Sequence, residues 1–372
     1  MPLLHKIAGV VIVCAVIMGL VLPRDERGSE PEREAARAGA QTKSENEADK
    51  DTPARPARQG RTTHARPSPS VTVIAQARPE VARIRANELG QIPVLMYHRI
   101  VKKPEMSLDR SVQEFRDEIT RLAKSGYVPI TAGEFAAGRV DVPAGRHPVV
   151  LTFDDSTPGH FALDAHGNPA PDTVVSVLTE VARQYPGFRP TATFYLNKDP
   201  FQLGDRTGEG LKWLVQHGFE LGNHTLSHKN LAQMSQSGVE KEIGDIEGQI
   251  VSLAGVHTKT LAYPFGSEPK KAAWAQAKTG SYRFNGVFLA GWRPSESPFS
   301  RDFDWRRIPR VRSEGKIAED DCKRYCSIAW LDWLDKNPTE RYISDGDPNT
   351  VSFPRAAESK LASRFRVYAR AY

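Results

Sequence analysis

Cysteine is scarce in this chain of 372 residues, with only Cys14, Cys322 and Cys326 present. So few sulfurs exclude a fold stapled throughout by disulfides. One candidate pair remains, Cys322 with Cys326, either as a local disulfide or as two reduced, buried thiols; no histidine lies near enough in sequence to favour a metal role. Cys14 follows Val13, where a lipoprotein signal would carry a small residue, and this argues against lipidation. Aromatic residues are absent from Arg24 up to Tyr97. A stretch so poor in large apolar groups cannot bury enough surface to offset the entropy of ordering it. Residues 24–88, rich in Arg, Ala, Pro and Glu, are therefore expected to be a disordered tether, with Val71–Ile74 and Pro79–Leu89 as a candidate lead-in strand and helix. Long apolar runs are also lacking, apart from Ile7–Leu22 after Lys6. That run is short for a membrane span and long for a signal core. Residues 1–23 read as a signal anchor in the membrane, with a cleaved signal peptide as the alternative; in either case the rest is expected to be exported, anchored at the extracellular face of the cell membrane or secreted. The net charge of +6 comes with no nucleic-acid-binding motif, and a basic balance suits an anionic envelope equally well. Nucleic acid is not expected as a partner.

From Gln91 onward, short apolar runs alternate with helical patterns. Strand candidates are Ile92–Tyr97, Tyr127–Ile130, Val149–Phe153, Thr191–Leu196, Phe219–Gly222, Thr260–Phe265, Gly286–Ala290 and Arg307–Val311. Ser111 with Glu114 forms a capping-box signature ahead of the stripe Phe115, Ile119 and Leu122. Further helices are expected over Asp172–Gln184 and around Leu211–His217, and Val239, Ile243, Ile246, Ile250 and Leu253 repeat as one buried helix face. The alternation predicts an α/β fold with a parallel sheet and right-handed crossovers, about seven strands forming a distorted, incomplete barrel. After residue 316 the pattern changes to an accessory segment. Ile328, Trp330, Trp333 and Leu334 suggest a short helix that pads the barrel, and Arg341–Ser344 with Thr350–Phe353 read as a hairpin around Asp345-Gly346.

The run Pro148–Phe153 ends in two adjacent carboxylates, Asp154 and Asp155. A second short run, Phe219–Gly222, leads into His224 and His228. Taken singly, the first reads as a solvated turn and the second as ordinary imidazoles. Together they place oxygen and nitrogen donors at the carboxyl ends of parallel strands, where chemistry gathers in such sheets. Two imidazoles and one carboxylate suit a borderline cation that keeps a position open for water.

These segments resemble the polysaccharide deacetylases with NodB homology, carbohydrate esterase family four. Thr152–Asp155 is similar to the family's first motif, His224–His228 to its second and Leu261–Gly266 to its third, in the same order and within residues 91–312. The resemblance implies an irregular (β/α) barrel in a catalytic domain spanning about 89–315. It implies that Asp155, His224 and His228 hold a divalent metal, Zn2+ first with Co2+ or Ni2+ as alternatives, that Asp154 is the general base, and that the backbone N–H of Phe265 receives the oxyanion. The usual acid is a histidine late in the chain, and no histidine follows His257. His98, at the end of the first barrel strand, can replace it if that strand has moved from one terminus to the other, as in deacetylases of poly-N-acetylglucosamine, which look permuted in this way.

Four departures stand out. Ser156 replaces the usual glycine, and a long insertion, Thr157–Pro190, follows it. Ala262 replaces an arginine that commonly holds the base, a role that position suggests for Arg310. Asp302 and Asp304 before Trp305 only faintly echo the fourth motif. The implied function is hydrolysis of N-acetyl groups on an N-acetylglucosamine-containing envelope or extracellular polysaccharide. The alternatives are an O-acetyl esterase acting on a xylan-like polymer and a catalytically silent glycan-binding protein.

Overall fold

A computed structural model describes residues 74–372 of the chain. The apolar run 7–22, Cys14, the signal or anchor read into residues 1–23 and the tether up to residue 73 lie outside the described residues. Among the described residues, no helix is long and apolar enough to cross a membrane.

The folded region starts before the expected linker boundary at residue 88. Strand β1 (Ala75–Gln76) pairs in parallel with the last strand of the chain, and helix α1 (Pro79–Arg83) opens on a proline, whose missing N–H costs nothing in a first turn. Ile74 is buried among Val351, Phe353, Ala369 and Ala371, and Val81 among Ala77, Ala86 and Tyr372. The candidate lead-in helix thus starts at Pro79 as expected and ends earlier, the strand falls just after Ile74, and these few apolar side chains are buried because the C-terminus covers them.

The barrel strands are β2 (Val94–Tyr97), β3 (Tyr127–Ile130), β4 (His147–Phe153), β5 (Thr193–Leu196), β6 (Glu220–Asn223), β7 (Thr260–Ala262), β8 (Gly286–Phe288) and β9 (Val311–Arg312). They pair in the order β8-β7-β6-β5-β4-β2-β9, with β3 beside the first half of β4, and every pair is parallel. Seven strands thus follow one path and an eighth flanks it, so the α/β barrel reading holds. All residues of β2 to β5 are buried, as expected when helices cover one face and the barrel interior the other. The sheet curls because Ile308 exchanges backbone hydrogen bonds with Val287 and Leu289, both at 2.9 Å, while Val311 of the same run pairs with Leu95 of β2. First and last barrel strands are therefore neighbours, which brings their exits to one place.

The helices are α2 (Val112–Lys124), α3 (Val174–Gln184), α4 (Thr207–Gln216) and α5 (Gln236–Ala254). The Ser111–Glu114 capping box forms as its spacing predicts. α3 begins two residues later than expected because Thr173, not Asp172, accepts from the N–H of Ser176. α5 buries Val239, Ile243, Ile246 and Ile250, each worth about 2 kcal/mol in area removed from water, and stops at Gly255 in the left-handed region.

The C-terminal segment departs from expectation at the hairpin. Helix α6 (Ser327–Lys336) buries Leu331 and Leu334 against the barrel. The Asp345-Gly346 turn exists, but its two arms do not pair with each other. Ile343 bridges Asn87, Arg341 bridges Gln91, and β10 (Val351–Phe353) pairs with β11 (Ala369–Ala371). The reason is the buried Glu88, whose carboxylate accepts from the backbone N–H groups of Ser352 at 2.8 Å and Asp345 at 3.2 Å and from the Tyr342 hydroxyl at 3.1 Å. It draws both arms onto the start of the domain. Burial, with Asp345 adding to it, pushes the Glu88 carboxyl up to about 8. A carboxyl raised on folding favours the protonated native state, so its stabilisation is complete below the unfolded value of 4.5 and is lost as pH rises through about 8. Wild type should therefore lose on the order of a few kcal/mol of stability between pH 5 and 9 from this group. Denaturant titrations across that range should show the slope reduced in Glu88→Gln.

Candidate metal centre and catalytic site

Asp154 and Asp155 leave β4 at its carboxyl end. Asp155 and Ser156 sit at φ 70° and 43°, where a residue with a side chain is strained. His224 follows β6 directly. Its Nδ1–H donates to the carbonyl of Ala262 at 2.8 Å, which fixes the tautomer and leaves the Nε2 lone pair for the site. Thr225 and His228 also have positive φ, 64° and 53°. That loop is held from outside: the Asn197 side-chain amide donates to the main-chain carbonyls of His224 and Thr225, both at 2.8 Å, and the side-chain Oδ1 of Asn223 accepts from the Thr225 N–H at 3.0 Å. Buried Glu242 accepts from the Ser227 N–H at 2.8 Å and hydroxyl at 2.6 Å.

The result is a convergence of three donors. The Asp155 carboxylate lies 3.5 Å from His224 Nε2 and 3.4 Å from His228 Nε2, and all three donor atoms fall within 4.8 Å of one another. Two imidazole nitrogens and one carboxylate oxygen are the donor chemistry that zinc and its neighbours accept, and the oriented His224 shows that the site is preorganised. The residues fit a divalent ion. Among the described residues, Glu314, Cys322 and Cys326 also cluster, but the two sulfurs are joined in a disulfide, which leaves a single carboxylate there.

Asp154 turns the other way. Arg310 donates to both of its oxygens, at 2.7 Å and 2.8 Å, and to Thr152 Oγ1 at 3.2 Å, while the Arg310 Nε–H donates to the Leu289 carbonyl at 2.7 Å. Both side chains are almost fully buried. Burial alone would raise the Asp154 pKa, but the guanidinium, with His224 and His98 adding, outweighs it and holds the carboxyl far below the ordinary range. Asp154 is thus a fixed anion. Its Oδ2 is 3.9 Å from His98 Nε2 and also 3.9 Å from His224 Nε2. Burial lowers the imidazole pKa of His98 against the pull of Asp154 and Asp155. Phe265 occupies the turn Pro264–Gly266 at φ 58°, with its ring 66% exposed and stacked edge-on against His228 at 4.6 Å. Gly266 is required there, since a Cβ would lie 2.8 Å from that of Ala290 at φ 66°.

The structure therefore gathers Asp154, Asp155, His224, His228, His98, Arg310 and Phe265 at one end of the sheet. It does not bring Asp302 and Asp304 to them: Asp302 faces Arg301 at 3.7 Å and Asp304 faces Arg306 at 3.8 Å, all on the surface. Sequence reading missed Asn197, Asn223 and Glu242, which touch the loop and never an ion. Asn223 directly precedes His224, but nothing in the spacing of Asn197 or Glu242 marks them.

Residues 141–284 match the model of the polysaccharide deacetylase family. Over that segment the chain is similar to the polysaccharide deacetylases. YxkH of Bacillus subtilis (strain 168), a protein assigned to the polysaccharide deacetylases, is 24% identical over 232 residues, covering 62% of this chain and 74% of that protein. A gellan lyase from Bacillus sp is 31% identical over 128 residues, but these make up only 5% of its length. Among solved structures, the Streptococcus pyogenes deacetylase PplD in complex with acetate aligns at TM-score 0.48 with 19% identity, covering 64% of this chain and 98% of that one. IcaB from Ammonifex degensii aligns at 0.42 with 21% identity, covering 63% and 94%. The matched segment contains Asp154, Asp155, His224, His228 and Phe265; His98 precedes it and Arg310 follows it. Those two reach Asp154 because β9 pairs with β2.

Proposed function

We propose that the domain removes N-acetyl groups from an N-acetylglucosamine-containing polysaccharide outside the cytoplasm, with a divalent ion, Zn2+ in the first instance, held by Asp155, His224 and His228. The observation that carries this is the convergence of those three donors beside a second carboxylate that an arginine keeps off the ion. A divalent ion bound there supplies Lewis acidity, bringing the pKa of water toward ~7 and polarising the amide carbonyl.

The protein's own groups account for the proton movements. Asp154 stays ionised beside Arg310, so it can accept a proton from the attacking water without competing for the ion. Its low basicity favours handing that proton on. His98, 3.9 Å away, is placed to deliver one to the departing nitrogen. The Phe265 N–H, on a turn braced by Pro264 and Gly266, offers a donor for the developing oxyanion, a contribution usually worth about a hundredfold or more in rate. The join of β2 with β9 matches the permuted arrangement and favours poly-N-acetylglucosamine over other polymers. The apolar run near the N-terminus and the Cys322–Cys326 disulfide fit an exported protein, anchored or secreted.

Acetate release from a defined N-acetylglucosamine oligomer tests the reading. Activity should vanish after chelation and return with added Zn2+. Release from acetylated xylan alone would move the assignment to an O-acetyl esterase, and metal uptake without any acetate would make the domain a glycan binder.

A further inference from the structure

The insertion Thr157–Pro190 contains two histidines that the chemistry above does not use, His160 and His166, and of these only His160 is buried. His160 is fully buried, with its ring 5.3 Å from that of Phe153 and 6.1 Å from that of Phe194. Its Nε2 is hydrogen-bonded to the main-chain carbonyl of His98, and its Nδ1 has no partner. A carbonyl can only accept, so the Nε2 carries the hydrogen. Burial pushes the His160 imidazole down to about 4, which keeps the ring neutral with a single N–H at working pH.

The location matters because the β2–β4 ladder ends here. The Asp154 N–H donates to the Tyr97 carbonyl at 2.9 Å, and from the next residue on β2 continues as a loop. The strap that carries His160 is itself fixed. The His160 N–H donates to the Thr157 carbonyl at 3.0 Å, the Val174 N–H at the start of α3 to the Gly159 carbonyl at 3.0 Å, and the Val175 N–H to the His160 carbonyl at 3.3 Å. Gly159 passes so close to Ile100 that a Cβ would stand 1.9 Å from its carbonyl oxygen. The insertion is thus seated on the segment that follows His98, and its buried imidazole reaches back to the His98 backbone.

We propose that His160 is a positioning residue: by holding the His98 carbonyl at the strand exit, it sets the direction in which the His98 imidazole faces Asp154 and the departing nitrogen. This rests on the reading of His98 as the proton donor. It also gives the insertion a role that its sequence alone does not reveal. Misplacing a reacting group by an ångström can cost about a hundredfold.

The test compares His160→Phe, which keeps a ring in the core and removes the donor, with His160→Gln, which keeps an N–H at similar reach. Each is assayed on an N-acetylglucosamine oligomer, whose amine must be protonated to leave, and on an activated aryl acetate, whose phenolate leaves unaided. Turnover of the amide by His160→Phe should fall on the order of tenfold to a hundredfold with KM little changed. Its aryl-ester turnover and bound zinc should stay within about threefold of wild type, and His160→Gln should recover most of the amide activity. Equal losses on both substrates, or no loss on either, would overturn the proposal. If wild type itself releases no acetate from the amide, the functional reading fails, and the positioning role is then read from the His98 imidazole resonances. These should shift in His160→Phe and not in His160→Gln; identical spectra in all three proteins would reject it.

Discussion

An Arg310→Met protein should lose about 3–5 kcal/mol of folding stability together with at least roughly a hundredfold in turnover. Arg310 and Asp154 are both nearly sealed from solvent and joined by two hydrogen bonds. Removing the guanidinium strands an anion in the interior, which is far costlier than removing the pair. The stranded carboxyl must then rise in pKa, turn neutral near working pH and cease to act as an anion beside the metal ligands. Urea unfolding measures the first effect and acetate release the second. The double variant Arg310→Met with Asp154→Leu separates them: it should recover most of the stability and none of the activity, because no charge is left unpaired and no base remains. Undiminished turnover in the single variant would remove Arg310 from the mechanism.

Replacing either imidazole of the triad should abolish metal binding at working concentrations. Outer-shell partners commonly contribute ~10–100-fold to metal affinity, and loss of a direct ligand should exceed that range. His224→Ala should be the more severe, since His224 is buried and oriented by the Ala262 carbonyl, whereas His228 is one-third exposed and its loop can adjust. Calorimetric titration of the apoprotein with Zn2+ should rank wild type above His228→Ala above His224→Ala, with acetate release falling in the same order. Since His224 donates to a backbone carbonyl, no substitution at residue 262 should reproduce its loss unless the strand shifts.

These expectations rest on features of unequal legibility. The strand before Asp154, the Ser111–Glu114 cap and the α5 stripe could be read directly because their signals are local: an unbroken apolar run, a three-residue spacing and a helical repeat. The C-terminal hairpin could not. Asp345-Gly346 specifies a turn, but what pairs with Ile343 or Val351 depends on Asn87 and Ala369, hundreds of residues away or at the chain end. The lead-in strand and helix could be read in outline, but that Ile74 and Val81 become core depends on the C-terminus that covers them. In the site, the paired aspartates and the histidines stood out by residue type, while Arg310 was suggested by position and its two bonds to Asp154 needed the pairing of β9 with β2. Asn197, Asn223, Glu242 and His160 act through backbone groups, which leave no mark on residue spacing.

The convergence of Asp155, His224 and His228 on one ion is tested most directly by anomalous diffraction at the zinc edge from crystals grown with stoichiometric Zn2+. One strong peak is expected, within about 2.0–2.2 Å of an Asp155 oxygen and of both Nε2 atoms. A peak at another cluster, or none here while these side chains are ordered, would contradict it.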